Sequence, residues 1–122
     1  MDDPVRTVFS QARHGKWREV QAALENGMSP LIRDPKGNTL FHVGCQNGHK
    51  KVAKAVAKFG GSVVMNAQND MGNTGLHFLV SYGYAELAEY FVSKRADTTI
   101  VNAEGRSALE GLGKMADTGQ HG

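Results

Sequence analysis

The sequence predicts an all-α solenoid, in which helix-turn-helix units stack side by side and the β-turn loops between them protrude. Three observations carry that expectation. Gly37-Asn38-Thr39-Leu40-Phe41-His42 returns as Gly72-Asn73-Thr74-Gly75-Leu76-His77 and, more weakly, as Gly105-Arg106-Ser107-Ala108-Leu109-Glu110, at spacings of 72−37 = 35 and 105−72 = 33 residues. Periods in this range belong to stacked repeat arrays. Between the copies, apolar residues recur at helical spacing, as in Val52, Val56 and Phe59. The glycines inside the units keep the same register, since Gly15, Gly48 and Gly83 are spaced by 33 and 35 residues.

In the first unit Asp3 can cap a helix that starts with Pro4, a residue suited to the first helical position. Trp17, Val20 and Leu24 then fall at i, i+3 and i+7 on a second helix, which assigns Trp17 to the core, and Gly27 stands where Gly60 does. The second unit opens on the turn Asp34-Pro35-Lys36-Gly37, and the Thr39 hydroxyl can cap a helix over about residues 40–47 that stops at Gly48. A longer helix follows over about residues 50–59, with Val52, Val56 and Phe59 inward, and Gly60-Gly61 ends it. The third unit repeats the plan with Thr74 as cap, Leu76, Leu79 and Val80 inward, Gly83 as breaker, and Leu87 and Phe91 on the next stripe. The two-residue excess of 35 over 33 is placed in Gly61-Ser62-Val63-Val64-Met65, read as a return loop. The last unit keeps Gly105 and Ser107, then Leu109, Leu112 and Met115, with no room for a second long helix. These readings divide the chain into one domain over residues 1–115 (a cap unit 1–33, full repeats 34–68 and 69–101, a partial cap 102–115) and a tail, 116–122.

Composition sets the function classes. A chain of 122 residues holds one domain or one short array. A hydrophobic share of 40% with 21% charged residues suits a soluble globular protein. The net charge of +2 is too small to argue for nucleic acid, and no apolar run approaches the roughly 18 residues of a membrane span. The single cysteine, Cys45, excludes an internal disulfide framework, and the acidic start Met1-Asp2-Asp3-Pro4 lacks the order of a signal peptide. A cytoplasmic or nuclear setting is expected.

The order of turn, Gly-x-Thr-x-Leu-His, helix, Gly-His, helix and Asn-Ala resembles the ankyrin repeat. Gly72-Asn73-Thr74-Gly75-Leu76-His77, Asn47-Gly48-His49, Arg95-Ala96-Asp97 and Asn66-Ala67-Gln68-Asn69 all match in one register, and the resemblance runs from about Val5 to Met115. The chain departs from the family pattern at Leu40, Gly75 and Ala108, which replace the signature Pro, at Phe41 for Leu, at Glu110 for His, and at Arg95 for Gly. Gly75 gives up the fixed φ of proline, which predicts lower local stability.

Few residues suggest chemistry. His42 and His77 occupy equivalent places in adjacent repeats, and two histidines without a third ligand make a poor zinc site. The resemblance implies instead that they are hydrogen-bonding braces between turns. Cys45 lies one helical turn from His42, but the family fills its position with a small buried residue, and a buried thiol is inert. Lys51, Lys54 and Lys58 make a stripe at i, i+3 and i+7 on an outer helix face, read as solvated. No nucleophile-base-acid order, phosphate loop or carboxylate pair stands out, so neither an enzyme activity nor a cofactor nor a small-molecule substrate is expected.

The resemblance implies a non-catalytic protein–protein interaction module, a scaffold or adaptor that binds another protein through its turn tips and the exposed edge of the first helix of each pair. Those positions are Arg33, Pro35, Lys36 and Asn38, then Gln68, Asp70, Met71 and Asn73, then Val101, Glu104 and Arg106. At the helix ends lie Arg13 and His14, Gln46 and Asn47, and Ser81 and Tyr82. Met71 and Tyr82 are the expected apolar anchors. Two alternatives stand beside this reading: a constitutive small subunit of a larger, possibly cytoskeletal, assembly, and a weak basic patch for nucleic acid or anionic lipid.

Overall fold

The computed structural model describes residues 3–110, which form six α-helices in three antiparallel pairs. These are α1 (Pro4–Arg13) with α2 (Trp17–Glu25), α3 (Leu40–Gln46) with α4 (Lys50–Met65), and α5 (Gly75–Ser81) with α6 (Ala85–Ser93). α1, α3 and α5 pack side by side as one layer, and α2 and α4 lie together behind it. Among the described residues the sole β pairing is an isolated antiparallel bridge between Val101 and Ser107 in the last turn. Leu112, Met115 and the tail, singled out above, lie outside the described residues.

Local chemistry places the start of the first helix in each pair. Asp3 accepts from the Val5 and Arg6 N–H groups, with Pro4 first in α1. Thr39 and Thr74 head α3 and α5, and in both the hydroxyl accepts from the histidine N–H three residues on. The histidine ring answers by accepting from the threonine N–H, a capping box in which imidazole replaces the usual Glu or Gln. The short helices end where Gly15, Gly48 and Gly83 take positive φ.

The core runs between the two layers as one cluster, from Val8, Phe9 and Ala12 through Leu40, Phe41, Val52 and Val56 to Leu79, Val80 and Phe91. Its widest side chains meet at Phe41 and Phe91, edge to face at 4.9 Å.

The structure corrects four expectations. The segment after Gly61 is not a loop. A helical turn continues through Met65, with Gly61 as a break at φ 59° and ψ −149°, and it buries Val64 and Met65. Val64 lies against Gly60, so it and Met65 take the core position expected of Phe59, which is 42% exposed. The insertion is also divided. Positive φ at Gly27, Gly61 and Arg95 pairs Gly27 with Gly61 rather than with Gly60. Gly48 to Gly61 spans 61−48 = 13 residues where Gly15 to Gly27 and Gly83 to Arg95 span 12. Gly61 to Gly72 spans 72−61 = 11 where Gly27 to Gly37 and Arg95 to Gly105 span 10. One extra residue therefore lengthens the helix and one the segment after it. Trp17 is only half-buried, packed on the edge of the core with Arg18 and Lys51 over its ring.

Gly75 has a packing role besides lacking the fixed φ of proline. It is buried, and a Cβ there would run into the Phe41 ring and come within 2.9 Å of Cys45 Sγ. The large Phe41 in one repeat fills the space that the small Gly75 leaves in the next. Two departures from the repeat pattern thus compensate each other across the interface.

Candidate partner-binding face

Turn tips of successive repeats are tied to one another. Asp70 N–H donates to Lys36 O at 3.1 Å, and Ala103 N–H donates to Met71 O at 2.9 Å. Asparagines repeat the link through their side chains: Asn69 Nδ2 donates to Asn38 Oδ1 at 2.8 Å, and Asn102 Nδ2 to Asn73 Oδ1 at 2.9 Å. Arg33 Nη1 bridges Gly37 O and Gln68 O at 2.8 and 2.7 Å, and one unit later Gln68 Nε2 bridges Gly72 O and Val101 O at 3.0 and 3.1 Å.

The histidines complete this ladder from beneath. His42 Nε2 is 2.7 Å from Asn73 O, and His77 Nε2 is 2.9 Å from Arg106 O. A carbonyl can only accept, so Nε2 carries the hydrogen and Nδ1 is left to accept from the threonine N–H. Burial, opposed by the Asn73 hydrogen bond and aided by the positive Arg33 nearby, lowers the His42 pKa to about 4. His42 is therefore a neutral brace and no acid or base at ordinary pH. A third histidine, His49, donates from Nε2 to Arg13 O at 2.8 Å and ties the first pair of helices to the second. The Gly48-His49 motif was legible in the sequence, but this role was not.

Cys45 is fully buried, and burial pushes its thiol well above the usual range, so it is no nucleophile. Among the described residues no group of three or more His, Cys, Asp or Glu comes together to hold a metal ion, and no helix is long and apolar enough to cross a membrane.

The structure sorts the positions expected to meet a partner into two kinds. Arg33, Asn38, Gln68 and Asn73 are occupied by the ladder, and Asn38 is buried. Arg33 and Gln68 stay exposed while they tie the tips together, and Asn73 is half-buried, so these residues also build the face. Gln46 is half-buried, and Asn47 returns its amide to Val43 O. The His14 ring donates to Ser10 O. Pro35, Lys36, Asp70, Glu104 and Arg106 are exposed at the tips, with Arg13 and Ser81 exposed at the helix ends. The apolar members of this set, Met71, Tyr82 and Val101, are 59%, 55% and 51% exposed. Beside them a groove of about 160 Å3, lined by His77, Ser81, Glu104 and Arg106 among others, opens between the last two turns.

Comparison with known proteins agrees with this architecture. The family model described as ankyrin repeats, three copies, matches residues 9–102. NF-kappa-B inhibitor alpha of Sus scrofa is 35% identical over 88 residues, covering 69% of this chain and 27% of that protein. Its Mus musculus counterpart is 33% identical over the same length. Protein phosphatase 1 regulatory subunit 27 of Homo sapiens is 30% identical over 71 residues, covering 58% of this chain and 45% of that protein. The chain thus spans about a quarter to under a half of the curated relatives it matches. By name, one of those relatives is an inhibitor and the other a regulatory subunit.

Proposed function

The chain belongs to the ankyrin-repeat family, and on that premise we propose that it is a non-catalytic adaptor or regulatory binder that holds another protein against its turn tips. The observation that carries the reading is the contrast on one face. Backbone and side-chain ties immobilise each tip against the next, while Met71, Tyr82 and Val101 remain uncovered. Groups ordered in advance lose little entropy on binding, and exposed aromatic and methionine side chains supply the apolar contact on which interfaces concentrate their energy. Lys36, Asp70, Glu104 and Arg106 around them would set specificity by charge. The relatives support a regulatory role by their names, and their own targets are not carried over to this chain. One free, buried cysteine suits an intracellular, reducing setting.

The test is affinity capture from the native source with quantitative mass spectrometry, wild type against Met71→Ala/Tyr82→Ala. Both side chains are exposed, so the variant keeps its helical circular dichroism and loses the captured protein. An unfolded variant would mean the two residues are core, and an unchanged capture would remove this face from consideration.

A further inference from the structure

The opposite side of the molecule, formed by α2, α4 and α6, carries a second surface that the tip face does not explain. α4 holds Lys50, Lys51, Lys54 and Lys58 and no acidic residue. On either side of it runs a groove. The one towards α6, about 450 Å3, is floored by Ala57, Met65 and Phe91, and the one towards α2, about 350 Å3, by Trp17 and Ala55. Lys54 and Lys58 line both, so the two are continuous across the α4 ridge. Among the described residues no Asp or Glu lines either groove, although α2 carries Glu19 and Glu25 and α6 carries Glu89 and Glu86, which lines the next groove together with Lys50. In a chain of net charge only +2, this segregation concentrates positive charge on one apolar-floored surface.

The cations are also held in place. Lys54 Nζ sits 3.9 Å and Lys94 Nζ 5.6 Å from the Tyr90 ring centre, and Arg18 and Lys51 lie 5.1 and 5.5 Å from that of Trp17. Stacking on a ring restricts the long side chains before binding, which lowers the entropy cost of a later ion pair. It also limits what can bind. Ring faces occupied by ammonium and guanidinium groups are closed to nucleobases, which single-strand binding needs open. The exposed apolar side chains of α4, Phe59 and Val63, line neither groove, whereas a membrane-surface site presents its protruding apolar side chains together with its cations.

We infer that this outer face is a second docking surface, for an acidic protein segment whose carboxylates meet Lys51, Lys54, Lys58 and Lys94 and whose apolar side chains enter the two grooves. It shares no residue with the tip face, so the chain could hold two partners at once, and the inference stands or fails independently of the proposed function.

Trp17, the sole tryptophan, reports on the site directly. The full chain is titrated with a synthetic peptide of repeated Asp-Glu-Leu units, followed by Trp17 emission. The peptide should bind, shift the emission and weaken as salt rises. Lys51→Glu/Lys58→Glu should lower the affinity about tenfold or more, Lys51→Gln/Lys58→Gln by less, and Met71→Ala/Tyr82→Ala not at all. Lys51 and Lys58 are both exposed, so the fold should survive. Should the reversed pair lose helicity, the glutamine pair decides. No binding of the peptide, unchanged affinity in the charge variants, or tighter binding to oligothymidylate or to equimolar phosphatidylcholine–phosphatidylserine vesicles would overturn the inference.

Discussion

Acid should loosen the repeat stack through His42. Folded, its neutral ring spans two repeats: Nδ1 accepts from Thr39 N–H at 3.1 Å and Nε2–H donates to Asn73 O at 2.7 Å. Protonation puts a hydrogen on Nδ1 facing the Thr39 N–H and places a charge in the core. The folded pKa is about 4 against an ordinary 6.5, so between those values the unfolded chain binds more protons than the folded one. Stability from this group is therefore complete above about pH 6.5 and is lost as pH falls towards 4. Each pH unit within the window costs about 1.4 kcal/mol, which amounts to about 2 kcal/mol between about pH 7.5 and about pH 5. Urea unfolding followed by Trp17 emission, repeated across that range for wild type and His42→Gln, isolates the effect, because every other titrating group is common to both proteins. The variant should be less stable at neutral pH, having lost the brace, and should show a flatter pH dependence by about that 2 kcal/mol. Parallel pH profiles for the two proteins would refute the reasoning.

Three further outcomes follow from packing and backbone geometry. Gly75→Ala drives a methyl group into Phe41 and should destabilise by about 1–3 kcal/mol, and adding Phe41→Leu should recover part of that loss; strictly additive effects in the double-mutant cycle would argue that the two residues do not compensate. Cys45 should not react with a thiol reagent in the native protein and should react fully in urea, since the thiol is buried; rapid native modification would contradict its placement. Arg95→Gly relieves the one non-glycine residue among those described that holds a positive φ, 72°, and should raise Tm by about 4 °C, as calorimetry would show.

Much of this fold was legible because a repeat states its local rules more than once. Thr39 and Thr74 sit at equivalent places before their helices, and each caps as its chemistry requires. Val52, Val56, Leu76, Leu79 and Phe91 follow the helical period and are buried. What stayed hidden depends on pairs far apart in the chain. Nothing local shows that Phe41 occupies the space Gly75 leaves, or that Val64 displaces Phe59 from the core by folding back on Gly60. Period counting placed the whole insertion in residues 61–65 and could not divide it, because only the backbone angles place the left-handed residue at Gly61. The positions of the turn tips were legible, yet Arg33, Asn38, Gln68 and Asn73 look as free in the sequence as Asp70 or Lys36 do. Only their hydrogen bonds reveal that they build the face. The lysine stripe on α4 was visible by its spacing, but the rings beneath Lys51 and Lys54 belong to other helices.

The central claim is that a partner protein is bound on the turn-tip face beside Tyr82. A photo-reactive phenylalanine analogue at position 82, compared with the same group at Glu25 on the exposed side of α2, tests it in the native source. The account predicts a cross-linked adduct from position 82, formed with the protein that the Met71→Ala/Tyr82→Ala variant fails to capture. Adducts to that protein from position 25 but not from position 82 would contradict it.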